Sequence, residues 1–143
     1  MPKEQAIAKL QNLIEVLELL RAILETHDRE RDRSKQEMIF FGAEKKGEEI
    51  IELATRINRM VLSAYFQTAS KDYYSSFVEL YRLEVLDQDL INRLAQTAGF
   101  RNRLADDYLS LDPGITLKSL RNLLELYPLY AKGMMKFLES QER

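Results

Sequence analysis

Apolar residues recur at steps of three and four along most of the chain. This spacing places side chains on one face of an α-helix. The pattern predicts five helices: one from Lys3 to about Thr26, one from Ser34 to about Phe66, a short one from about Tyr73 to Leu83, one after Asp87 and one after Asp112-Pro113. We therefore expect an all-α, up-and-down helical bundle of about five helices, in a single domain over residues 1–143.

Several polar residues predict where these helices begin and end. Ser34 and Glu37 match a capping box, and Asp87 and Asp112 are expected N-caps. The segment 27–33 alternates charge and has no apolar residue, so we expect a solvated connection or a frayed helix end. Pro128 is expected to kink or divide the last helix.

Other positions carry expectations about packing. Gly42 and Gly47 lie inside the second helix, where we expect them to let a neighbouring helix approach closely. The short third helix is expected to turn three residues inward, which are Phe77, Leu80 and Tyr81. The charged residues of the second helix are expected on its wet face: Lys45, Lys46, Glu48, Glu49 and Glu52.

Composition limits the chemistry. The 143 residues include no cysteine and one histidine, His27, so thiol chemistry and sites built on several imidazoles are excluded within one chain. The formal net charge is −2, which argues against a generally basic surface and requires any nucleic-acid contact to be local. No apolar run reaches the roughly 20 residues of a membrane span, so we expect a cytoplasmic protein without membrane association.

The segment from Arg101 to Tyr108 interrupts the apolar pattern with a concentration of polar side chains. Arg101 offers a planar guanidinium suited to phosphate, and Asn102 adds a hydrogen-bond donor and acceptor. Taken alone, arginine and aspartate at this spacing are typical of a surface ion-pair set.

A series of segments in fixed order resembles the HepT-type HEPN ribonuclease toxins. The resemblance runs from about Phe40 to the C-terminus. The matching segments are Phe41-Gly42-Ala43-Glu44-Lys45, Ile51-Glu52-Leu53-Ala54, Tyr73-Tyr74-Ser75-Ser76-Phe77, Leu83-Glu84-Val85-Leu86-Asp87, Leu94 to Asn102, Tyr108 and Leu111-Asp112-Pro113.

This resemblance implies a HEPN-fold homodimer that cleaves RNA without metal or cofactor, as the toxin of a type VII (HEPN/MNT) toxin–antitoxin system. The family motif is Arg-Asn, three variable residues, His, one variable residue and Tyr. Arg101, Asn102 and Tyr108 match it, whereas Asp106 stands in the position of the histidine. Asp106 fits either an inactive natural relative or a selected or engineered substitution.

The replacement of histidine by aspartate has a direct chemical consequence. Attack of a 2′-hydroxyl on phosphorus requires a group that takes a proton and a donor for the leaving oxygen. An imidazole titrates near neutrality, whereas an unperturbed aspartate is ionised at pH 7 and repels phosphate. We therefore expect ribonuclease activity to be strongly reduced or absent in this chain.

The resemblance also implies partners. A minimal nucleotidyltransferase antitoxin (MNT) is expected to transfer AMP to Tyr108, adding charge and bulk beside Arg101. The candidate RNA-binding residues are Arg93, Arg103, Lys45 and Lys46.

Two alternatives stay open on the sequence. One is a non-catalytic helical dimerisation or binding module for RNA, a nucleotide or a partner protein. The other is a plain structural bundle in which residues 101–108 form a surface network.

Overall fold

A computed structural model describes residues 2–106 and 112–141, with only the backbone of Asp106. Five α-helices make up most of this part of the chain, and a 3₁₀ helix over Glu79–Leu83 follows the third. The α-helices are α1 (Pro2–Arg29), α2 (Arg33–Phe66), α3 (Tyr73–Val78), α4 (Gln88–Asp106) and α5 (Pro113–Ser140). The prediction of an all-α bundle of about five helices is therefore confirmed. None of the helices described combines the length and the apolar character needed to cross a bilayer.

The predicted leucine stripe of α1 is buried. Its members, spaced alternately three and four residues apart, are at most 4% exposed: Leu10, Leu13, Leu17, Leu20 and Leu24. Helix α1 packs mainly along α2 and also along α5, while α3 packs on α4. Each buried leucine contributes about 1.5–3 kcal/mol relative to an exposed one, so this stripe stabilises the α1–α2 pair.

The junction of α1 and α2 differs from the prediction. Asp32, not Ser34, is the N-cap of α2, because its Oδ1 accepts from the Lys35 amide at 3.1 Å. Helix α1 extends to Arg29, and His27 is buried with its ring centroid 6.0 Å from that of Phe40. The expectation of a solvated segment is wrong for His27, because an aromatic neighbour from α2 covers the imidazole, whereas Asp28 and Arg29 are exposed at the end of α1.

The third helix also differs in register. Beyond Val78 the chain tightens into the 3₁₀ helix, which has three residues per turn. Phe77, Leu80 and Leu83, three residues apart, are therefore the buried apolar positions, and Tyr81 is 51% exposed. The prediction is confirmed for Phe77 and Leu80 and wrong for Tyr81.

The last two helices begin at the predicted caps. Asp87 Oδ1 accepts from the Leu90 amide at 2.8 Å, and Asp112 Oδ1 accepts from the Gly114 amide at 2.8 Å. Helix α5 is continuous through Pro128, so the expected division does not occur. Proline removes one intrahelical hydrogen bond, and the buried Tyr127 and Tyr130 on either side hold the helix in place.

A buried polar network joins α2, α3 and α5. The Tyr130 hydroxyl donates to Asn58 Oδ1 at 2.6 Å, and Asn58 Nδ2 donates to Ser76 Oγ at 3.2 Å. Ser76 Oγ in turn donates to the Tyr73 carbonyl at 2.8 Å. Buried polar groups satisfied in this way fix the first turn of α3, and with it the position of Tyr73.

The two glycines of α2 have different surroundings. A Cβ built on Gly47 would lie 2.5 Å from Leu120 Cδ2 of α5, whereas a Cβ on Gly42 would meet nothing within 4 Å. The expected close approach of a neighbouring helix is confirmed at Gly47 and wrong at Gly42.

This difference predicts opposite effects on stability. Gly42→Ala should raise the free energy of unfolding by up to about 1 kcal/mol, because alanine is the better helix former. Gly47→Ala should lower it by about 1 kcal/mol, because Leu120 is fully buried and overpacking costs typically 1–3 kcal/mol. Equilibrium denaturant unfolding of both variants checks this, and a shift of the same sign in both would contradict the packing role of Gly47.

Candidate active site

Arg101 projects from α4 towards α2 and α3. Its Nη2 donates to Glu52 Oε2 at 2.7 Å, and its Cζ lies 4.5 Å from the centroid of the Tyr73 ring. The side chains of Arg101 and Glu52 are only 20% and 28% exposed. The guanidinium is thus fixed by a carboxylate from α2 and an aromatic ring from α3.

The surroundings of Arg101 keep its positive charge. Burial by itself disfavours the charged form, but the hydrogen bond that Arg101 donates to Glu52 and the nearby Tyr73 and Glu48 raise the pKa of Arg101 above its usual value. Its Nε is buried and has no hydrogen-bond partner among the described residues. Arg101 is therefore a permanent, partly desolvated cation, and the Glu52 carboxylate at 2.7 Å offsets part of its attraction for an anion.

Asn102 follows Arg101 on the exposed surface of α4. Its Oδ1 lies 3.5 Å from Arg101 Nη1, at the limit of a hydrogen bond. The structure thus brings these first two motif residues together. Asp106 is the last residue of α4, and its side chain lies outside the described part of the chain, as does Tyr108.

A cavity of about 390 Å³ opens between α2 and α4, and we call it the α2–α4 cavity. Its lining residues are Phe41, Glu44, Lys45, Glu48, Leu104 and Ala105. The last two immediately precede Asp106 in the chain, so the cavity lies beside the C-terminal end of α4. Burial raises the pKa of Glu44, and the charge of Lys45 opposes that shift. Two of the three charged groups that line the cavity are carboxylates.

The four candidate RNA-binding residues do not share one surface. Lys45 lines the α2–α4 cavity, and Lys46 Nζ pairs with Glu49 Oε1 at 3.1 Å. Arg93 and Arg103 instead line a cleft between α4 and α5. The monomer therefore does not form one continuous basic patch that joins all four residues with Arg101.

Sequence reasoning missed the two residues that hold Arg101. Glu52 was expected on the wet face of α2, and Tyr73 was assigned no role at the site. A signal existed for Glu52, because Glu44, Glu48 and Glu52 recur every four residues and so share one helix face. That periodicity alone does not reveal which helix this face meets.

A comparison with known protein families identifies the class of protein. A family model described as ribonuclease HepT-like matches residues 13–133, which include α2, α3 and α4 and hence Glu52, Tyr73 and Arg101. The chain therefore belongs to the HepT-like ribonuclease family.

One relative carries a more particular description. A tRNA nuclease HepT from Aphanizomenon flos-aquae is 30% identical to this chain over 93 residues. The match covers 65% of this chain and 63% of the relative, so somewhat less than two thirds of the relative's length is matched.

Proposed function

We propose that this chain is the toxin component of a type VII (HEPN/MNT) toxin–antitoxin system, a metal-independent endoribonuclease that acts on cellular RNA. The observation that carries the proposal is Arg101, held charged by Glu52 against Tyr73 next to Asn102, in a chain of the HepT-like ribonuclease family. The relative described as a tRNA nuclease favours tRNA over mRNA as the substrate.

The geometry supports a definite role for Arg101. When a 2′-oxygen bonds to phosphorus and the bond to the 5′-oxygen breaks, negative charge builds up on the phosphorane oxygens. Arg101 stabilises that charge without reorganisation, because Glu52 and Tyr73 already fix its guanidinium. Asp106 is a weak base for the 2′-hydroxyl proton and a poor acid for protonating the leaving oxygen. This chain is therefore catalytically impaired.

Regulation is proposed at Tyr108. A nucleotidyltransferase antitoxin transfers AMP from ATP to the phenolic oxygen, which forms a phosphodiester and releases pyrophosphate. The added phosphate and nucleoside exclude RNA from the neighbourhood of Arg101 by charge and volume. The chain acts as a homodimer in which the motifs of two protomers face one cleft.

Cleavage is tested with total RNA and a tRNA pool in EDTA. We expect the Asp106→His variant to shorten RNA, and the further substitution Arg101→Gln to reduce the rate by about 10²–10³, the usual effect of losing a charge-stabilising group. Arg56→Gln in the same background is the matched control, because Arg56 is an exposed arginine of α2.

The outcomes are distinct. The role of Arg101 would be overturned if the Arg101→Gln, Asp106→His chain cut RNA as fast as the Asp106→His chain. Circular dichroism confirms that the double variant keeps its helical content. If the Asp106→His chain cuts no RNA, the second candidate replaces the first. That candidate is a non-catalytic module that binds RNA, a nucleotide or a partner protein, and the presence of Asp106 at the motif favours it.

A further inference from the structure

Arg101 and Arg103 point to opposite sides of α4. Two residues correspond to about 200° of rotation around a helix axis. Arg101 accordingly reaches Glu52 of α2, while Arg103 lines the opening between α4 and α5. One turn of α4 therefore directs one arginine to the candidate active site and another to a separate surface.

That surface is a cleft of about 510 Å³, which we call the α4–α5 cleft. Its polar lining residues include Arg93, Gln96 and Arg103 from α4 and Ser119 and Asn122 from α5. Thr97 also lines the cleft, but its hydroxyl already donates to or accepts from the Tyr127 hydroxyl at 2.7 Å. No carboxylate is among the residues described as lining the cleft.

The two arginines of the cleft are accessible to a ligand. The Arg103 guanidinium lies 5.9 Å from the centroid of the Phe100 ring, and no described carboxylate forms an ion pair with it. Arg93 pairs with Asp89 at 3.0 Å, but both side chains are well over half exposed, so water and other anions compete for this pair. The cleft is therefore an anion-attracting surface, unlike the α2–α4 cavity with its two carboxylates.

A neighbouring depression on α5 carries charges of both signs. Ser119 and Asn122 also line it, together with Lys118, Arg121 and Glu125. Arg121 is engaged by Asp28 at 2.7 Å, whereas Lys118 is exposed and has no described ion-pair partner. Glu125 thus places a carboxylate in this depression, whereas the described lining of the α4–α5 cleft has none.

We propose that the α4–α5 cleft binds one or two unpaired nucleotides of the RNA strand, as a subsite separate from Arg101. Arg93 and Arg103 contact phosphates, because guanidinium groups match phosphate geometry. Gln96 and Asn122 contact base edges, because a carboxamide both donates and accepts hydrogen bonds. The proposal rests on the proposed action on RNA and specifies where the strand lies.

The test measures binding of a fluorescent single-stranded RNA oligonucleotide to the unsubstituted chain, whose impaired catalysis leaves the RNA intact. We expect the double variant Arg93→Gln, Arg103→Gln to bind about tenfold more weakly at 0.15 M salt. The slope of log K against log salt should fall in magnitude by about 1.4, which corresponds to two lost phosphate contacts on a single strand.

Matched controls separate this subsite from general charge. The variant Arg21→Gln, Lys132→Gln removes two exposed cations from the groove between α1 and α5 and should leave binding nearly unchanged. Asn122→Ala should weaken binding while it leaves the salt slope as it is, because it removes a base contact and no phosphate contact. Circular dichroism melts establish that each variant is folded.

Equal weakening in the two double variants would overturn the subsite while leaving the proposed action on RNA intact. The subsite is also overturned if the Arg93→Gln, Arg103→Gln variant loses affinity for AMP but not for the oligonucleotide. The cleft would then bind a free nucleotide. If the unsubstituted chain binds no RNA and the Asp106→His chain cuts none, the proposed function itself fails.

Discussion

Substitution of Asp106 by histidine should raise the rate of metal-free RNA cleavage by about 10²–10⁴, the usual contribution of a positioned general acid or base. An imidazole at this position exchanges protons near neutral pH, whereas the carboxylate is a weak base and no acid at pH 7. Arg101 is already held in place by Glu52 and Tyr73, so the substitution supplies the missing proton transfer only. Initial rates on a short RNA with one cleavable site measure the effect.

Asp106→Asn is the control that separates charge from proton transfer. It removes the repulsion of phosphate but supplies no group that titrates near neutrality. We expect tighter RNA binding with little gain in rate, whereas the rate of the histidine variant should change with pH at about 6–7. Equal rate gains in the asparagine and histidine variants would show that the aspartate acts only by repulsion.

Substitution of Tyr108 by phenylalanine should abolish the addition of AMP by a nucleotidyltransferase antitoxin. Phenylalanine has no hydroxyl, so no oxygen is available to bond to the α-phosphorus of ATP at this position. We expect the intact mass of the unsubstituted chain, made together with the antitoxin and ATP, to show whole AMP increments. The same preparation of the Tyr108→Phe chain should show none.

Tyr74→Phe provides the matched control, because Tyr74 is 57% exposed and lies on α3. Its AMP increments should equal those of the unsubstituted chain. If the AMP increments persist in the Tyr108→Phe chain, the acceptor is another residue. If no chain shows AMP increments, the proposal of a nucleotidyltransferase antitoxin is wrong.

The sequence was most informative where structure depends on neighbours close in the chain. Asp87 and Asp112 cap helices as predicted, because each satisfies amides two or three residues further on. The leucine spacing of α1 likewise determined which face is buried. Tyr81 was misplaced because a change from α-helical to 3₁₀ geometry at Glu79 shifts every later side chain, and the apolar pattern does not fix the point of change.

The residues of the candidate site likewise divide into those that the local sequence identifies and those that helix packing brings together. Arg101 and Asn102 are adjacent in the chain, so the sequence could nominate them from a local motif. Glu52 lies 49 positions from Arg101, and the ion pair between them exists only because α2 packs beside α4. The sequence by itself thus determined the helical class and the motif arginine. Only tertiary packing decided which carboxylate and which ring hold Arg101. Packing also decided that Arg103 faces α5, because contacts between helices are not encoded in local spacing.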